Sequence, residues 1–190
     1  MTMGYHGFVM AMERVERRMR EVSSALEAAG IPYAVCGGNA VAAWVSRVDP
    51  AATRATKDVD LLVNKADEPR IAEVMKSLGF ERRDLRRLVL YMDPEEPSTK
   101  SGVHLVWAET LIRPSYSTPS PSVNESVRDL EGFRVLDLAA LVRMKLTSFR
   151  DIDRVHLADL RDVGLINQSL RNGLPVDLEA RLDQLEETDE

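Results

Sequence analysis

The run Thr56-Lys57-Asp58-Val59-Asp60-Leu61-Leu62-Val63 constrains this chain more than any other. It reads as a strand. Residues i and i+2 of a strand point to the same face, so Asp58 and Asp60 converge on one spot while Val59 and Leu61 face a core. Two like charges held that close repel, and a cation is the least costly remedy. Mg²⁺ prefers oxygen ligands and takes one or two protein carboxylates, leaving its other positions to water and substrate phosphates. Mn²⁺ is served by the same donors. The competing reading is a polar strand end with two solvated acids.

What sets this pair apart is the strand-to-helix turn upstream. Tyr33-Ala34-Val35-Cys36 is a short apolar strand ending at Gly37-Gly38, and Asn39 to Val45 reads as a buried helix opened by that turn. A helix N-terminus leaves backbone N–H groups unpaired and partly positive, and glycines let a phosphate approach that backbone closely. Gly37 and Gly38 are therefore candidates for holding a triphosphate, with Asn39 adding a side-chain contact. A tight turn needing glycine for its dihedrals explains the same letters. If the aspartate strand begins early enough, Arg54, Thr56, Asp58 and Asp60 share one parity, and Arg54 and Thr56 join the site as phosphate or hydrogen-bond partners.

Elsewhere the pattern is a mixed one. Met12, Val15, Met19, Val22 and Leu26 recur at helical spacing before Gly30 and Pro32. A helix from about Glu68 to Leu78 is closed by Gly79. Strands are expected over Phe80 to Asp84, Arg87 to Met92 and Val103 to Ala108. Arg113 to Ser126 is a proline- and serine-rich loop, either a lid over a site or disordered. After a short strand at Gly132 to Val135, Asp137 caps a helix running to about Phe149. Further helices are expected over Asp153 to Val163 and, acidic in character, Asp177 to Glu187.

With 190 residues, of which 44% are hydrophobic, the chain can bury one core. A net charge of -6 argues against indiscriminate nucleic-acid binding, although a local basic patch still admits RNA. The single cysteine, Cys36, lies in the apolar strand and reads as a small core residue of a reducing compartment. With no apolar run of transmembrane length and no signal-peptide core, the expectation is a soluble, cytoplasmic protein without a membrane partner.

On the helix after Asp137, Lys145 falls inside the stripe of Leu138, Leu141, Val142, Leu146 and Phe149. Either it snorkels to the edge of the packing, or it reaches a triphosphate as a point charge. Arg150 and His156 stand near the spacing of the Arg-x(4-6)-His signature of HEPN-type ribonucleases, but a capped amphipathic helix accounts for the same residues. The terminal run Glu186-Glu187-Thr188-Asp189-Glu190 reads as a solvated end or, failing that, an interaction surface.

Taken together, Val35-Cys36-Gly37-Gly38, then Arg54-x-Thr56-x-Asp58-Val59-Asp60-Leu61, then the strand Val103-His104-Leu105-Val106 resemble the nucleotidyltransferase superfamily built on the DNA polymerase β palm. Met144-Lys145-Leu146 with Asp153, His156-Leu157 and Asp159-Leu160 resembles its AbiEii type, the toxins of type IV toxin-antitoxin systems. The resemblance covers roughly residues 30 to 165. It implies transfer of a nucleoside monophosphate from an NTP to an acceptor, with pyrophosphate released. It places Gly37 and Gly38 on the phosphates, Asp58 and Asp60 on a divalent metal, and Lys145 on the triphosphate. One departure stands out. Members commonly carry a third carboxylate on the later strand, where this chain has His104, and Glu109 has the opposite parity. His104 is then either a general base with a pKa near the working pH or a packed replacement in a site without turnover.

The expected fold is α/β (α+β), a twisted mixed sheet flanked by helices, with a nucleotidyltransferase-like core over residues 1–135 and a helical extension over residues 136–190 closing the cleft. The expected function is metal-dependent nucleotidyl transfer to RNA such as tRNA, a protein hydroxyl or a small molecule, possible toxin action implying an antitoxin partner. The alternative is a degenerate nucleotide-binding or regulatory module.

Overall fold

The computed structural model describes residues 5–85, 88–98 and 101–187, and side chains from Met12 to Leu185 within them. Helix α1, Tyr5–Ala28, buries Val15, Val22 and Leu26 along one stripe and ends where Gly30, at φ +63°, donates its N–H to the Glu27 carbonyl. Strand β1, Tyr33–Cys36, is buried throughout, and α2, Gly37–Ser46, starts at the next residue, taking both glycines into its first turn. Strand β2, Val59–Val63, and helix α3, Glu68–Ser77, follow, then β3, Glu81–Leu85, β4, Leu88–Met92, and β5, Val103–Trp107. Arg87, which the sequence assigns to the β4 region, lies outside the described residues. Two short strands, β6, Ser126–Arg128, and β7, Arg134–Leu136, lead into the helices α4, Leu138–Ser148, α5, Asp151–Asp162, α6, Gln168–Arg171, and α7, Val176–Glu187.

Among the described residues the strands form one seven-stranded sheet in the order β3-β4-β5-β2-β1-β7-β6. The pairs β2/β5 and β1/β7 are parallel and the rest antiparallel, so the sheet is mixed as expected. Strand alternation sends Val35, Val59, Leu61, Val63 and Leu105 to a core beneath α1 and α3. It sends Ala34, Cys36, Leu62 and Leu136 to a second core with residues of α2, α4, α5 and α7. Burial on both faces explains why β1 carries no polar residue apart from the hydroxyl of Tyr33. No helix among the described residues is long and apolar enough to cross a membrane.

Two short elements and one loop differ from the sequence reading. Residues β6 and α6 span are too few to establish a period, so neither is legible as an element. The proline- and serine-rich loop is tied down, with Ser120 Oγ donating to the Trp107 carbonyl at 2.5 Å and Ser117 Oγ to Asp177 at 2.7 Å. Asp137 caps α4 as expected, accepting from the Ala140 N–H at 2.8 Å. Phe149, at φ 46°, then turns the chain into α5. From α7, Leu178, Leu182 and Leu185 enter the second core, and Arg181 donates to the carbonyls of Leu146 and Thr147 at 2.6 and 2.8 Å.

Candidate active site

The register of the sheet builds the site. Cys36, Asp60 and His104 are consecutive Cα partners across β1, β2 and β5, so Asp60 and His104 stand side by side on the face that carries α2. His104 Nδ1 lies 3.1 Å from Asp60 Oδ1 and 3.4 Å from Asp58 Oδ2. Ligand atoms of Asp58, Asp60 and His104 all lie within 4.8 Å of one another. The two carboxylates stand together, but Asp58 lies before β2 and not on the strand with Asp60 as the sequence suggested, and His104 occupies the position next to Asp60 on β5.

Asp58 itself precedes β2, in a loop that Asn39 holds. Asn39 Nδ2 donates to the Asp58 carbonyl at 2.6 Å, and its Oδ1 accepts from the Thr56 hydroxyl at 2.6 Å. On the other side, Arg18, fully buried on α1, donates to the Lys57 carbonyl at 3.3 Å and to Asp93 at 2.9 Å. Arg18 sits within the α1 stripe between Val15 and Val22, a signal that was available in the sequence. Burial pushes the Asp58 carboxyl above its ordinary pKa, and the Asp60 charge adds to this, while His104 and Lys145 act the other way. A cation relieves that cost, and the donor set of two carboxylates and an imidazole nitrogen suits a divalent one.

The Gly37 backbone approaches Asp60 closely. A Cβ on Gly37 would stand 1.9 Å from Asp60 Oδ2, and the residue is at φ +63°. A Cβ on Gly38 would stand 2.5 Å from Thr56 Cγ2 and 3.6 Å from Cε1 and Nε2 of His156. The start of α2 is therefore wedged between the acid pair and α5.

Arg54 and Thr56 do not share strand parity with the aspartates, because β2 begins only at Val59. Arg54 is paired with Asp159 of α5, Nε to Oδ2 at 2.7 Å, and is mostly exposed. With Gly38, Thr56, Ile152, His156 and Asp159 it lines a cavity of about 80 Å³ between α2, the 52–56 loop and α5.

Lys145 is buried, and does not snorkel outward. Its Nζ donates to Asp153 Oδ1 at 3.0 Å and meets His156 Nδ1 at 2.9 Å. Asp153 also accepts from Ser148 Oγ at 2.6 Å and Arg150 Nε at 2.7 Å. Burial would raise the Asp153 pKa, but the Arg150 hydrogen bond and the Lys145 charge hold it down at about 2. Burial and then Lys145 lower His156 to about 4, which leaves the ring neutral at physiological pH. Asp153 and His156 thus belong to the Lys145 cluster, a role the sequence reading did not give them. A lysine on an apolar stripe needs a buried counter-ion, and Asp153 in the first turn of the next helix was the available signal. Cys36 is a buried core residue as expected, and burial pushes its thiol pKa well up.

Residues 4–138 match the model of a family described as uncharacterised nucleotidyltransferase. Among solved structures, the chain is similar to an antigenic nucleotidyltransferase-like protein from Paracoccidioides brasiliensis, with a TM-score of 0.58 and 16% identity over 94% of this chain and 89% of that one. It is similar to ANT(2″)-Ia in complex with adenylyl-2″-tobramycin, with a TM-score of 0.54 and 15% identity over 84% of this chain and 98% of that one. JHP933 from Helicobacter pylori gives a TM-score of 0.54 and 17% identity over 98% of this chain and 76% of that one. At these identities the likeness is one of fold. No curated protein matches the sequence.

Proposed function

The chain belongs to the uncharacterised nucleotidyltransferase family, and from that footing we propose that it transfers a nucleoside monophosphate from an NTP to an acceptor, using a divalent cation, Mg²⁺ or Mn²⁺, held by Asp58 and Asp60. The observation that carries this reading is the contact of Gly37 with Asp60. It brings the open N-terminus of α2 to the same spot as the two carboxylates, leaving no room for a side chain between them. A bound cation would supply charge neutralisation of the triphosphate at that spot.

The chain's own groups do the rest. Backbone N–H groups at Gly37 and Gly38 bind the departing phosphates, and Asn39 and Thr56 fix the loop that aims Asp58. Lys145 sets a positive charge behind the glycine turn, where it already acts on Asp58. Arg54, on the rim of the adjoining cavity, is placed to meet the nucleotide or acceptor. Residues 136–190 act as the helical extension that closes the cleft, since α4, α5 and α7 pack on the α2 side of the sheet.

The acceptor falls within three chemical classes, a small-molecule hydroxyl, RNA or a protein hydroxyl. The small-molecule class has a structural relative in ANT(2″)-Ia, solved with adenylyl-2″-tobramycin. An AbiEii-type toxin role, which would imply an antitoxin partner and a cytoplasmic setting, has as its support that Lys145, Asp153 and His156, three of the residues that carry the resemblance, join in one cluster. The test is incubation with each NTP labelled at the α-phosphate, Mg²⁺ or Mn²⁺, and an acceptor from each class. Label should pass to one class with pyrophosphate released, and Asp60→Asn should abolish it. Undiminished transfer in Asp60→Asn refutes the assignment.

A further inference from the structure

We infer that His104 is the third metal ligand, and that it makes this a mixed nitrogen and oxygen centre which takes a first-row transition ion such as Mn²⁺ in preference to Mg²⁺. The inference rests on the metal-dependent reading above and specifies its cation.

Three observations carry it. First, β2 and β5 are parallel and in register at Asp60 and His104, so the ring is set beside Asp60 by the sheet itself. On its other side the register partner is Leu90 of β4, fully buried on the same face, so the ring stands between Leu90 and Asp60 along the sheet. Second, the ring presents a nitrogen to the carboxylates, with Nδ1 at 3.1 Å from Asp60 Oδ1 and 3.4 Å from Asp58 Oδ2. With metal–ligand bonds of about 2.0–2.2 Å, adjacent ligands of an octahedron stand about 3 Å apart. The two distances from the ring nitrogen are therefore those of neighbouring ligands in one shell, and the three donors together lie within 4.8 Å of one another. Third, the donors are mixed: beside the two carboxylates stands an imidazole nitrogen, a poor ligand for Mg²⁺ but a good one for first-row transition ions. In the absence of a cation the same nitrogen makes a hydrogen bond to Asp60, and ligation replaces that bond, with the ring nitrogen giving up its proton to accept the metal.

The experiment is electron spin-echo spectroscopy of Mn²⁺ added to the whole protein with inorganic triphosphate, a probe that contains no nitrogen. Alongside it, Mg²⁺ is titrated to displace the Mn²⁺. The wild type should show nitrogen hyperfine coupling at the bound Mn²⁺. His104→Asp and His104→Gln should lose the coupling, and His104→Asp should release its Mn²⁺ at lower Mg²⁺ than the wild type does. Bound Mn²⁺ without nitrogen coupling in the wild type, or coupling that survives both substitutions, overturns the inference and leaves the carboxylate site standing. Folded wild type that binds no Mn²⁺ overturns the inference together with the reading it rests on. Should a variant fail to fold, the wild-type coupling decides.

Discussion

Replacing Gly37 by alanine would place a methyl carbon 1.9 Å from Asp60 Oδ2, 2.8 Å from its Cγ and 2.9 Å from its Cβ. Carbon–oxygen contacts settle at about 3.3–3.6 Å, so the carboxylate oxygen must retreat by more than about 1 Å. Rotating the side chain does not suffice, because Asp60 Cβ is itself too close and moves only with β2. Two costs follow. The left-handed backbone at φ +63° costs a non-glycine residue roughly 1–2 kcal/mol. Overpacking against Asp60 adds roughly 1–3 kcal/mol. Gly30 isolates the first cost, since it has the same φ of +63° and nothing within 4 Å of its would-be Cβ. Gly30→Ala should therefore lower stability by the backbone cost alone, and Gly37→Ala by both. In a chain of this size each kcal/mol lowers Tm by about 2–4 °C. Function should separate the two variants further, because misplacing a catalytic group by about 1 Å costs on the order of 100-fold. Urea unfolding and metal-dependent NTP binding, measured on both variants, give the comparison. If Gly37→Ala is no less stable than Gly30→Ala and binds nucleotide like the wild type, the close approach of α2 to Asp60 is not the organising contact of the site.

Asn39→Ala removes the two hydrogen bonds that Asn39 makes to the Asp58 loop, so metal affinity should fall by about 10–100-fold while the fold persists; unchanged affinity in a metal titration would contradict this. His156→Gln should flatten the acid side of the stability profile. The unfolded chain takes up a proton on this residue between its ordinary pKa of 6.5 and about 4, where the folded chain does not. Stability therefore falls as pH drops through that window, by roughly 3 kcal/mol at about 1.4 kcal/mol per pKa unit. Asp153 works lower, its contribution being present above its ordinary 3.8 and lost only as pH falls towards about 2. Urea unfolding from pH 7 to pH 4 checks the difference between wild type and variant, and identical slopes would contradict it.

Much of the sheet and part of the site were legible because they rest on short-range patterns. Alternation placed Val59 and Leu61 in one core and Asp60 on the opposite face, whereas Asp58 reaches it from the loop that Asn39 holds, and the apolar run into Gly37-Gly38 marked the strand-to-helix turn. What escaped depends on contacts between residues distant in sequence. Arg54 and Thr56 look strand-like in parity, but Asn39 captures Thr56 and Asp159 captures Arg54, so the chain enters β2 only at Val59. The stripe around Lys145 revealed a buried lysine, whereas its partners Asp153 and His156 are defined by the corner that Phe149 turns in a left-handed conformation. His104 was recognisable as a departure from the family pattern, but only the parallel register of β2 and β5 gives the distance at which its nitrogen meets both acids.

Calorimetric titration of each of the four NTPs into the purified protein, with Mn²⁺, with Mg²⁺ and without metal, tests the central claim without knowledge of the acceptor. An Asp58→Asn/Asp60→Asn double variant with an unaltered fold serves as the control. The account predicts that at least one NTP binds only when metal is present and that the double variant loses this binding. Binding by the double variant equal to that of the wild type, or no binding of any NTP by the folded wild type, would contradict it.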